Sequence, residues 1–270
     1  MRPVILSERL RTVASMVTRG MRVCDVGCDH GFVSVWLVEQ KISPGVLAMD
    51  VREGPLAAAR RHVAERGLES SIETRLSDGL HNYKIGEADS LVCAGMGGRL
   101  MTRILGEEKA KTDSFRELVL QPQSELEQFR RWLREHGYRI TAEKMVEEDG
   151  KFYPMMRAVP ESGEDCPGTE MPPEKAEPGS TAGDPGNGGR EEEPTGKLSD
   201  RYGGFLLRQG DAVLRTFLRK EERTYEEILA RLQAQGFSGG KRKRRYEEVE
   251  LLLEECRAAQ KIAAYPTAEL

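Results

Sequence analysis

Two carboxylates and an imidazole alternate with glycines in one short stretch near the N-terminus. The pattern is Asp25-x-Gly27-x-Asp29-His30-Gly31. Glycines allow a backbone to approach a ligand closely, and the free N–H groups at a helix N-terminus favour a nucleotide-like ligand. Carboxylates and imidazoles can hold a cationic group or move a proton. The stretch therefore predicts a ligand cradle; the alternative is an ordinary strand-to-helix turn.

The spacing of these glycines separates classes of nucleotide-binding protein. It is neither the dinucleotide pattern G-x-G-x-x-G nor the Gly-Lys-Ser/Thr of a phosphate loop, which disfavours a nicotinamide-dependent oxidoreductase. The segment is similar to motif I of class I S-adenosylmethionine (SAM) methyltransferases, D/E-x-G-x-G-x-G, with Asp29 in place of the middle glycine. That resemblance implies SAM as the cofactor, bound by loop residues Asp25, Gly27, Cys28, Asp29 and Gly31.

Strand-like and helix-like patterns alternate through the first part of the chain, residues 1–159. Strands are predicted over 22–26, 45–50, 72–76, 89–94, 117–121, 138–145 and 152–159. Helices are predicted over 7–18, 31–40, 54–66, 98–106 and 124–136. This alternation predicts an α/β, Rossmann-like fold with a mainly parallel sheet of seven strands. The turn at 147–150 makes the last two strands an antiparallel hairpin, as at the end of the class I methyltransferase sheet.

Four further strand ends carry residues that a nucleoside site needs, because ligands of such sheets bind at the carboxyl ends of the strands. After the second strand, Asp50, next to Val51, could accept both ribose hydroxyls or could serve as a turn residue. After the third, Asp78, between Ser77 and Gly79, could accept from an adenine amino group or form an Asp-Gly turn.

The remaining two strand ends are rich in glycine and glutamine. Ala94-Gly95-Met96-Gly97 follows the fourth strand, where glycines would let a planar group lie against the backbone. Gln121-Pro122-Gln123 follows the fifth, where amides could pair with a base edge. A plain glycine-rich turn and a strand-terminating turn are the respective alternatives.

Four segments together resemble the TrmK family of bacterial tRNA (adenine-N1) methyltransferases, which act at adenine 22 in the D-arm. They are residues 25–30 (DVGCDH), 95–100 (GMGGRL), 118–123 (LVLQPQ) and 151–153 (KFY). The resemblance covers residues 5–159 and resumes loosely in the C-terminal helices, since family members carry a C-terminal coiled-coil domain. The chain departs from the family at Cys28, where serine is common, and in an acidic insertion.

The resemblance implies methyl transfer from SAM to N1 of adenine. Asp29 and His30 are the candidates for stabilising the cationic product or removing an N6 proton. Alternatively, Asp29 could bind the SAM amino group and His30 could cap the following helix. Tyr153 could stack on the target base or belong to the core. We expect Arg99 and the residues of the Gln121–Gln123 turn to contact the substrate.

Basic residues could hold tRNA by its phosphates. Arg9 lies in an arginine-rich start of the chain, and five consecutive cations begin the last predicted helix: Lys241, Arg242, Lys243, Arg244 and Arg245. Cations at a helix N-terminus oppose the helix dipole, so this run does not stabilise its own helix. The alternative is a solvated helix face.

An acidic segment, residues 160–197, separates the two parts of the chain. It holds 7 of 13 prolines, 8 of 28 glycines and ten acidic against three basic residues, a composition that predicts a disordered linker. Residues 198–270 are predicted to form an antiparallel helical hairpin. Its first helix carries a stripe that includes Leu207 and Leu214, and its second a coiled-coil-like seam of Tyr246, Val249, Leu253, Cys256, Gln260 and Ala263. Its break falls at residues 236–240.

The composition indicates in which cellular compartment the protein works and which kinds of partner it has. The 270 residues contain neither a run of 18 apolar residues nor an N-terminal signal pattern, and the five cysteines, an odd number, fit a reducing cytoplasm. No metal site and no membrane contact are expected, and the chain is expected to be a monomer or a weak dimer through the hairpin. The rival functions are methylation of a small molecule or protein, and a SAM- or RNA-binding module without catalysis.

Overall fold

The fold is built on one seven-stranded sheet. The structure, a computed structural model, describes residues 4–161, 196–235 and 240–265. The strand order is β3-β2-β1-β4-β5-β7-β6. The strands are β1 (Val23–Val26), β2 (Val46–Asp50), β3 (Ile72–Leu76), β4 (Ser90–Met96), β5 (Glu117–Pro122), β6 (Tyr138–Glu148) and β7 (Lys151–Pro160). The first five are mutually parallel and β7 is antiparallel to both neighbours, which confirms the predicted fold class.

Ten helices are present in the described residues. They are α1 (Glu8–Ser15), α2 (Phe32–Glu39), α3 (Glu53–Glu65), α4 (Gly98–Glu107), α5 (Lys109–Thr112), α6 (Leu126–Glu135), α7 (Gly196–Tyr202), α8 (Gly204–Arg208), α9 (Ala212–Ala234) and α10 (Gly240–Ala264). Helices cover both faces of the sheet, so every residue of β1, β2 and β5 is buried. Two apolar clusters result, one on each face.

The predicted antiparallel hairpin is confirmed, and its strands are longer than expected. Asp149 and Gly150 connect β6 to β7 with φ values of 52° and 70°. Two consecutive residues with positive φ are typical of a type I′ turn, whose twist matches that of the paired strands. The ladder therefore continues to the last pair, Glu148 with Lys151.

The prediction of two helices after the acidic segment is wrong, because four are present. Gly203 and Gly210 adopt φ values of 94° and 59° and interrupt the helix before α9 starts. The side chain of Asp211 then caps α9 by accepting from the Leu214 N–H at 2.8 Å. Leu207 consequently belongs to α8 and is not part of the α9 stripe.

The two long helices, α9 and α10, pack antiparallel as predicted. Gln233 near the end of α9 bonds Tyr246 near the start of α10, while Glu222 pairs with Arg257. Most of the predicted seam is buried: Val249, Leu253, Cys256 and Ala263. Supercoiling of the pair stays a prediction. Residues 236–239 of the predicted break at 236–240 and residues 162–195 of the predicted linker lie outside the described residues.

A buried ion pair joins the C-terminal helices to the sheet. Arg130 on α6 and Glu143 on β6 have side chains only 2% and 1% exposed, and they bond at 2.7 Å. Arg130 also donates to the carbonyl oxygen of Asp200, and Glu143 accepts from the backbone N–H of Phe205. A Cβ on Gly203 would lie 2.7 Å from Glu143 Oε2, so only glycine fits there. We call these residues the Arg130–Glu143 clamp.

Candidate functional site

A cleft of about 650 Å³ opens at the carboxyl edge of the sheet, where β1 and β4 are neighbours. This is the point at which the strand order reverses, and doubly wound sheets bind their ligands there. The predicted cofactor residues that line it are Asp25, Gly27, Cys28, Asp29, Asp50, Val51, Ser77, Asp78, Gly79, Ala94, Gly95 and Met96. A second cleft of about 620 Å³, beside Arg22 and Glu87, lies away from these strand ends.

The loop after β1 is shaped by three residues with positive φ. Gly27, Asp29 and Gly31 have φ values of 75°, 52° and 72°. Asp29 therefore adopts a left-handed conformation, which aspartate tolerates better than most residues. The Gly27 N–H bonds the Met49 carbonyl at 2.8 Å, which anchors the loop to β2. A Cβ on Gly27 would lie 2.1 Å from Met96 Cε, so the end of the Met96 side chain would have to move, and the φ of 75° itself favours glycine.

Gly31 and Gly97 were predicted to bind cofactor, but neither lines the cleft. Gly31 is the N-cap of α2, and a Cβ there would meet the Ala59 Cβ at 3.0 Å. Gly97 is the N-cap of α4 and would place a Cβ 3.2 Å from Ser124 Oγ. Gly31 therefore allows α2 to pack closely on α3, and Gly97 allows the start of α4 to approach the loop before α6.

Two buried carboxylates, Asp25 and Asp50, form the floor of the cleft. Asp25 accepts from Ser34 Oγ at 2.6 Å, and burial raises the pKa of Asp25 to about 6. Asp50 accepts from the backbone N–H groups of Asp29 at 3.1 Å and Arg52 at 2.9 Å. Asp50 thus organises both loops and also lines the cleft.

Asp29 and His30 lie together at the mouth of the cleft. His30 Nε2 is 3.6 Å from Asp29 Oδ1, and the two side chains are 48% and 63% exposed. The alternative that the His30 side chain caps α2 is wrong, because Gly31 is the N-cap and no side-chain bond caps that helix. Cys28 lines the same loop, and burial raises the pKa of its thiol, so the thiol stays neutral.

The chain after β3 forms an Asp-Gly turn at Asp78 and Gly79, in which the His81 N–H donates to the Asp78 carbonyl at 3.1 Å. Ser77 Oγ donates to the Gly79 carbonyl at 2.9 Å and accepts from the Asn82 N–H at 3.0 Å. Asp78 is exposed and pairs with Arg103 of α4 at 3.3 Å. Both side chains of that pair line the cleft.

The glycines after β4 join two strand-end loops. Gly95 has a φ of 80° at a register shift between β4 and β5. The Gly98 N–H lies 3.2 Å from the Ser124 carbonyl, and a Cβ on Gly98 would clash with that oxygen. Arg99 is 88% exposed, pairs with Glu125 at 2.8 Å and does not line the cleft.

Arg9, Gln121 and Tyr153, far apart in sequence, form one cluster. The Arg9 guanidinium donates to Gln121 Oε1 at 2.8 Å and lies 5.3 Å from the centre of the Tyr153 ring. Gln121 is fully buried and donates to the Pro122 carbonyl at 3.2 Å. Arg9 and Gln123 line the cleft, whereas Gln121, Pro122 and Tyr153 do not. Gln121 therefore does not contact the cleft itself and acts on it by holding the Arg9 guanidinium.

The remaining predicted substrate residues lie elsewhere. Lys241, Arg242, Lys243, Arg244 and Arg245 form the exposed first turn of α10 and do not line the cleft. Lys243 and Arg245 pair with glutamates on the same helix, at 3.8 Å and 3.2 Å.

Sequence reasoning missed part of the lining. The missed residues are Leu10, Val26, Phe32, Val33, Arg52, Val92, Leu100, Arg103 and Ile104. Most are apolar helix or strand residues that resemble core positions. Arg103 carried a usable signal, because it follows Arg99 by one helical turn on the helix that starts at the glycines.

The part of the chain that the structure describes lacks two further features. It contains no group of three or more histidines, cysteines or acidic residues placed to hold a metal ion. None of its helices is both long and apolar enough to cross a membrane.

Comparison with known proteins is consistent with this geometry. A family profile described as a methyltransferase domain matches residues 6–156. The tRNA (adenine(22)-N(1))-methyltransferase of Bacillus subtilis (strain 168) is 38% identical over 159 residues, a match that spans 59% of this chain and 66%, just under two thirds, of that protein.

Two crystal structures extend the match to the C-terminal helices. That of the Bacillus subtilis m1A22 tRNA methyltransferase TrmK is 28% identical with a TM-score of 0.74, covering 95% of this chain and 99% of that one. A putative tRNA (m1A22) methyltransferase of Streptococcus pneumoniae, in complex with S-adenosyl-L-methionine, is 28% identical with a TM-score of 0.72, covering 96% and 100%. The chain belongs to the methyltransferase-domain family and, within it, to the TrmK family.

Proposed function

We propose that this chain transfers a methyl group from SAM to N1 of adenine 22 in the D-arm of tRNA. The observation that carries the proposal is the cleft at the sheet's switch point, lined from four consecutive strand ends. A relative that shares nearly the whole fold binds SAM. The named activity of the Bacillus subtilis relative supplies the acceptor, N1 of adenine 22.

The cleft suits a cationic nucleoside such as SAM. Burial holds the pKa of Asp25 at about 6, and a cation in the cleft would favour the charged carboxylate. We assign Asp50 and Val51 to the ribose, Asp78 to the adenine amino group, and the loops around Gly27 and Gly95 to the methionine part. The assignments follow the order of the strand ends along the sheet.

The chemistry needs alignment more than covalent help. Bound SAM supplies an electrophilic methyl group, and N1 of the base supplies the electron pair. The residues of this chain must hold the two in line, which is a matter of proximity and orientation. We assign Asp29 and His30 to the positive charge that develops on the base, or to its N6 proton, because both lie exposed at the cleft mouth.

Arg9 is the third group that we place beside the target base. Its guanidinium enters the cleft from α1 and is held by the buried Gln121 amide and the Tyr153 ring. A fixed guanidinium can donate to a base edge or a phosphate. Gln121 and Tyr153 then act by positioning Arg9, and Gln123 contacts the substrate directly.

Binding of the tRNA backbone is assigned to the basic first turn of α10, residues 241–245. In this proposal residues 1–159 carry catalysis, residues 198–270 carry RNA contacts, the segment 160–197 links them, and the protein acts in the cytoplasm as a monomer or weak dimer. Neutralising these exposed side chains would remove the counterion release that accompanies their phosphate contacts. The salt dependence of tRNA binding therefore reports this role.

The test is incubation of the purified chain with methyl-labelled SAM and, in parallel, unmodified tRNA, total protein or a small-metabolite extract. Nucleoside mass spectrometry should find labelled 1-methyladenosine in the tRNA reaction. Label confined to protein or to small metabolites would replace tRNA as the substrate, and SAM binding without label in any fraction would indicate a non-catalytic module. The matched negative control is the same tRNA with guanosine at position 22.

A further inference from the structure

Three aromatic rings gather at the mouth of the cleft. The centres of the Phe32 and His62 rings are 4.8 Å apart, and the ring planes differ by 28°. His30 lies beside both, at 5.9 Å from Phe32 and 6.3 Å from His62. All three interplanar angles are 36° or less, so the rings face in similar directions. We call the three residues the aromatic platform.

The fold holds this platform in place. Phe32 is the first residue of α2, and His62 lies in the last turn of α3. His62 Nδ1 is 2.9 Å from the His30 carbonyl oxygen, which ties α3 to the loop after β1. Gly31 packs against Ala59 of α3, so the two helices cannot separate without losing that contact. These contacts fix the position of the platform relative to α2 and α3.

Phe32 is large, apolar and 41% exposed, as are Val51 and Leu100 of the same cleft, at 59% and 42%. Its ring lines the cleft together with His30 and Arg52. An exposed aromatic ring at a rigid position beside a binding cleft is typical of a surface that a ligand covers. The face of a nucleobase is the natural cover, since aromatic side chains stack on unpaired bases in RNA recognition.

We propose that Phe32, backed by His62, is the stacking surface for an unpaired nucleobase of the RNA substrate. The proposal rests on the proposed tRNA methylation and names a binding contact within it. The cofactor contacts assigned above, Asp50 and Val51 for the ribose and Asp78 for the adenine, do not include the platform, so the platform is left for the base that receives the methyl group or for its neighbour. Methylation at N1 requires that edge of adenine to be free of pairing, which makes its faces available for stacking.

The test replaces Phe32 with leucine, which removes the ring but keeps an apolar side chain, and with tryptophan, which keeps a stacking face. Loss of base stacking is worth about 1–3 kcal/mol, or roughly 5- to 150-fold. We expect Phe32→Leu to lower kcat/KM for tRNA by such a factor through a raised KM, and Phe32→Trp to restore it. The dissociation constant for SAM should not change. Ile85→Ala is the matched control, because Ile85 is exposed and outside the cleft.

A direct readout separates this inference from the proposed function. The fluorescence of a D-arm RNA that carries 2-aminopurine at position 22 or at a neighbouring position should be quenched by the wild-type chain more than by Phe32→Leu. Wild-type kcat/KM and quenching in Phe32→Leu would overturn the inference alone, as would a matching loss of SAM affinity. Absence of RNA binding by the wild-type chain would overturn both proposals, and RNA binding without methylation would overturn only the proposed function.

Discussion

Glu143→Gln is the substitution whose effect the structure defines most sharply. It removes one charge of the Arg130–Glu143 clamp while keeping nearly the same side-chain shape. The Arg130 guanidinium, 2% exposed, would then lie buried against backbone carbonyls without its carboxylate partner. The backbone N–H of Phe205 would lose a charged acceptor at the same time.

The expected loss of stability follows from this burial. Breaking a buried ion pair by removing one partner costs about 3–5 kcal/mol, because the other charge is left uncompensated. The glutamine oxygen can still accept one hydrogen bond, so we expect about 3 kcal/mol for Glu143→Gln. Exposed pairs such as Arg245 with Glu248 are screened by solvent, so Glu248→Gln should leave the stability unchanged.

The assay is urea unfolding followed by circular dichroism. With a urea dependence of about 1–3 kcal/mol per M, a loss of 3 kcal/mol lowers the midpoint by roughly 1–3 M. The double variant Arg130→Met/Glu143→Leu should recover only the part of the loss that comes from the uncompensated guanidinium, because the Phe205 N–H and the Asp200 carbonyl lose their partners. A Glu143→Gln midpoint equal to that of Glu248→Gln would refute the argument that the clamp is a desolvated ion pair.

Three further predictions concern the cleft and the basic turn. Because a cation binds the charged form of Asp25 more tightly, SAM affinity should fall as pH drops below about 6, up to tenfold per pH unit, and calorimetry should find this dependence abolished in Asp25→Asn. Asp29→Ala should abolish turnover, measured as labelled 1-methyladenosine; wild-type activity in that variant would remove Asp29 from the site. Changing residues 241–245 to glutamine should reduce the steepness of the plot of log association constant for tRNA against log salt concentration, by up to about 4. The control Lys41→Gln/Lys84→Gln, whose residues precede β2 and β4 at the amino edge of the sheet, should leave that slope unchanged. An unchanged slope in the first variant would contradict phosphate contact there.

Much of the sheet was predictable because buried parallel strands are short apolar runs followed by glycine or aspartate. All seven strands and the Asp149-Gly150 turn could be read in this way. The helices after the acidic segment were not, because an apolar stripe runs on through Gly203 and Gly210. Tertiary contacts decided that break: Gly203 must pass close to the buried Glu143 carboxylate, a partner 60 residues earlier in the sequence.

The site could be located from sequence, but the direction of each side chain could not. Asp25, Asp50 and Asp78 reach the cleft as expected because they end neighbouring strands. Gln121 also ends a strand, yet it is buried and bonded to Arg9, a contact across 112 positions that no local pattern encodes. Phe32 was missed because an apolar residue at the start of an apolar helix looks like core.

The central claim is methylation of one adenine in one substrate, and mapping the modified position tests it most directly. Methylation at N1 blocks Watson–Crick pairing, so reverse transcription of tRNA treated with the chain and SAM should stop beside position 22. The account predicts that this stop requires SAM and adenine 22 and is absent with Asp29→Ala. A stop at another adenine, or methylated tRNA without any stop, would contradict it.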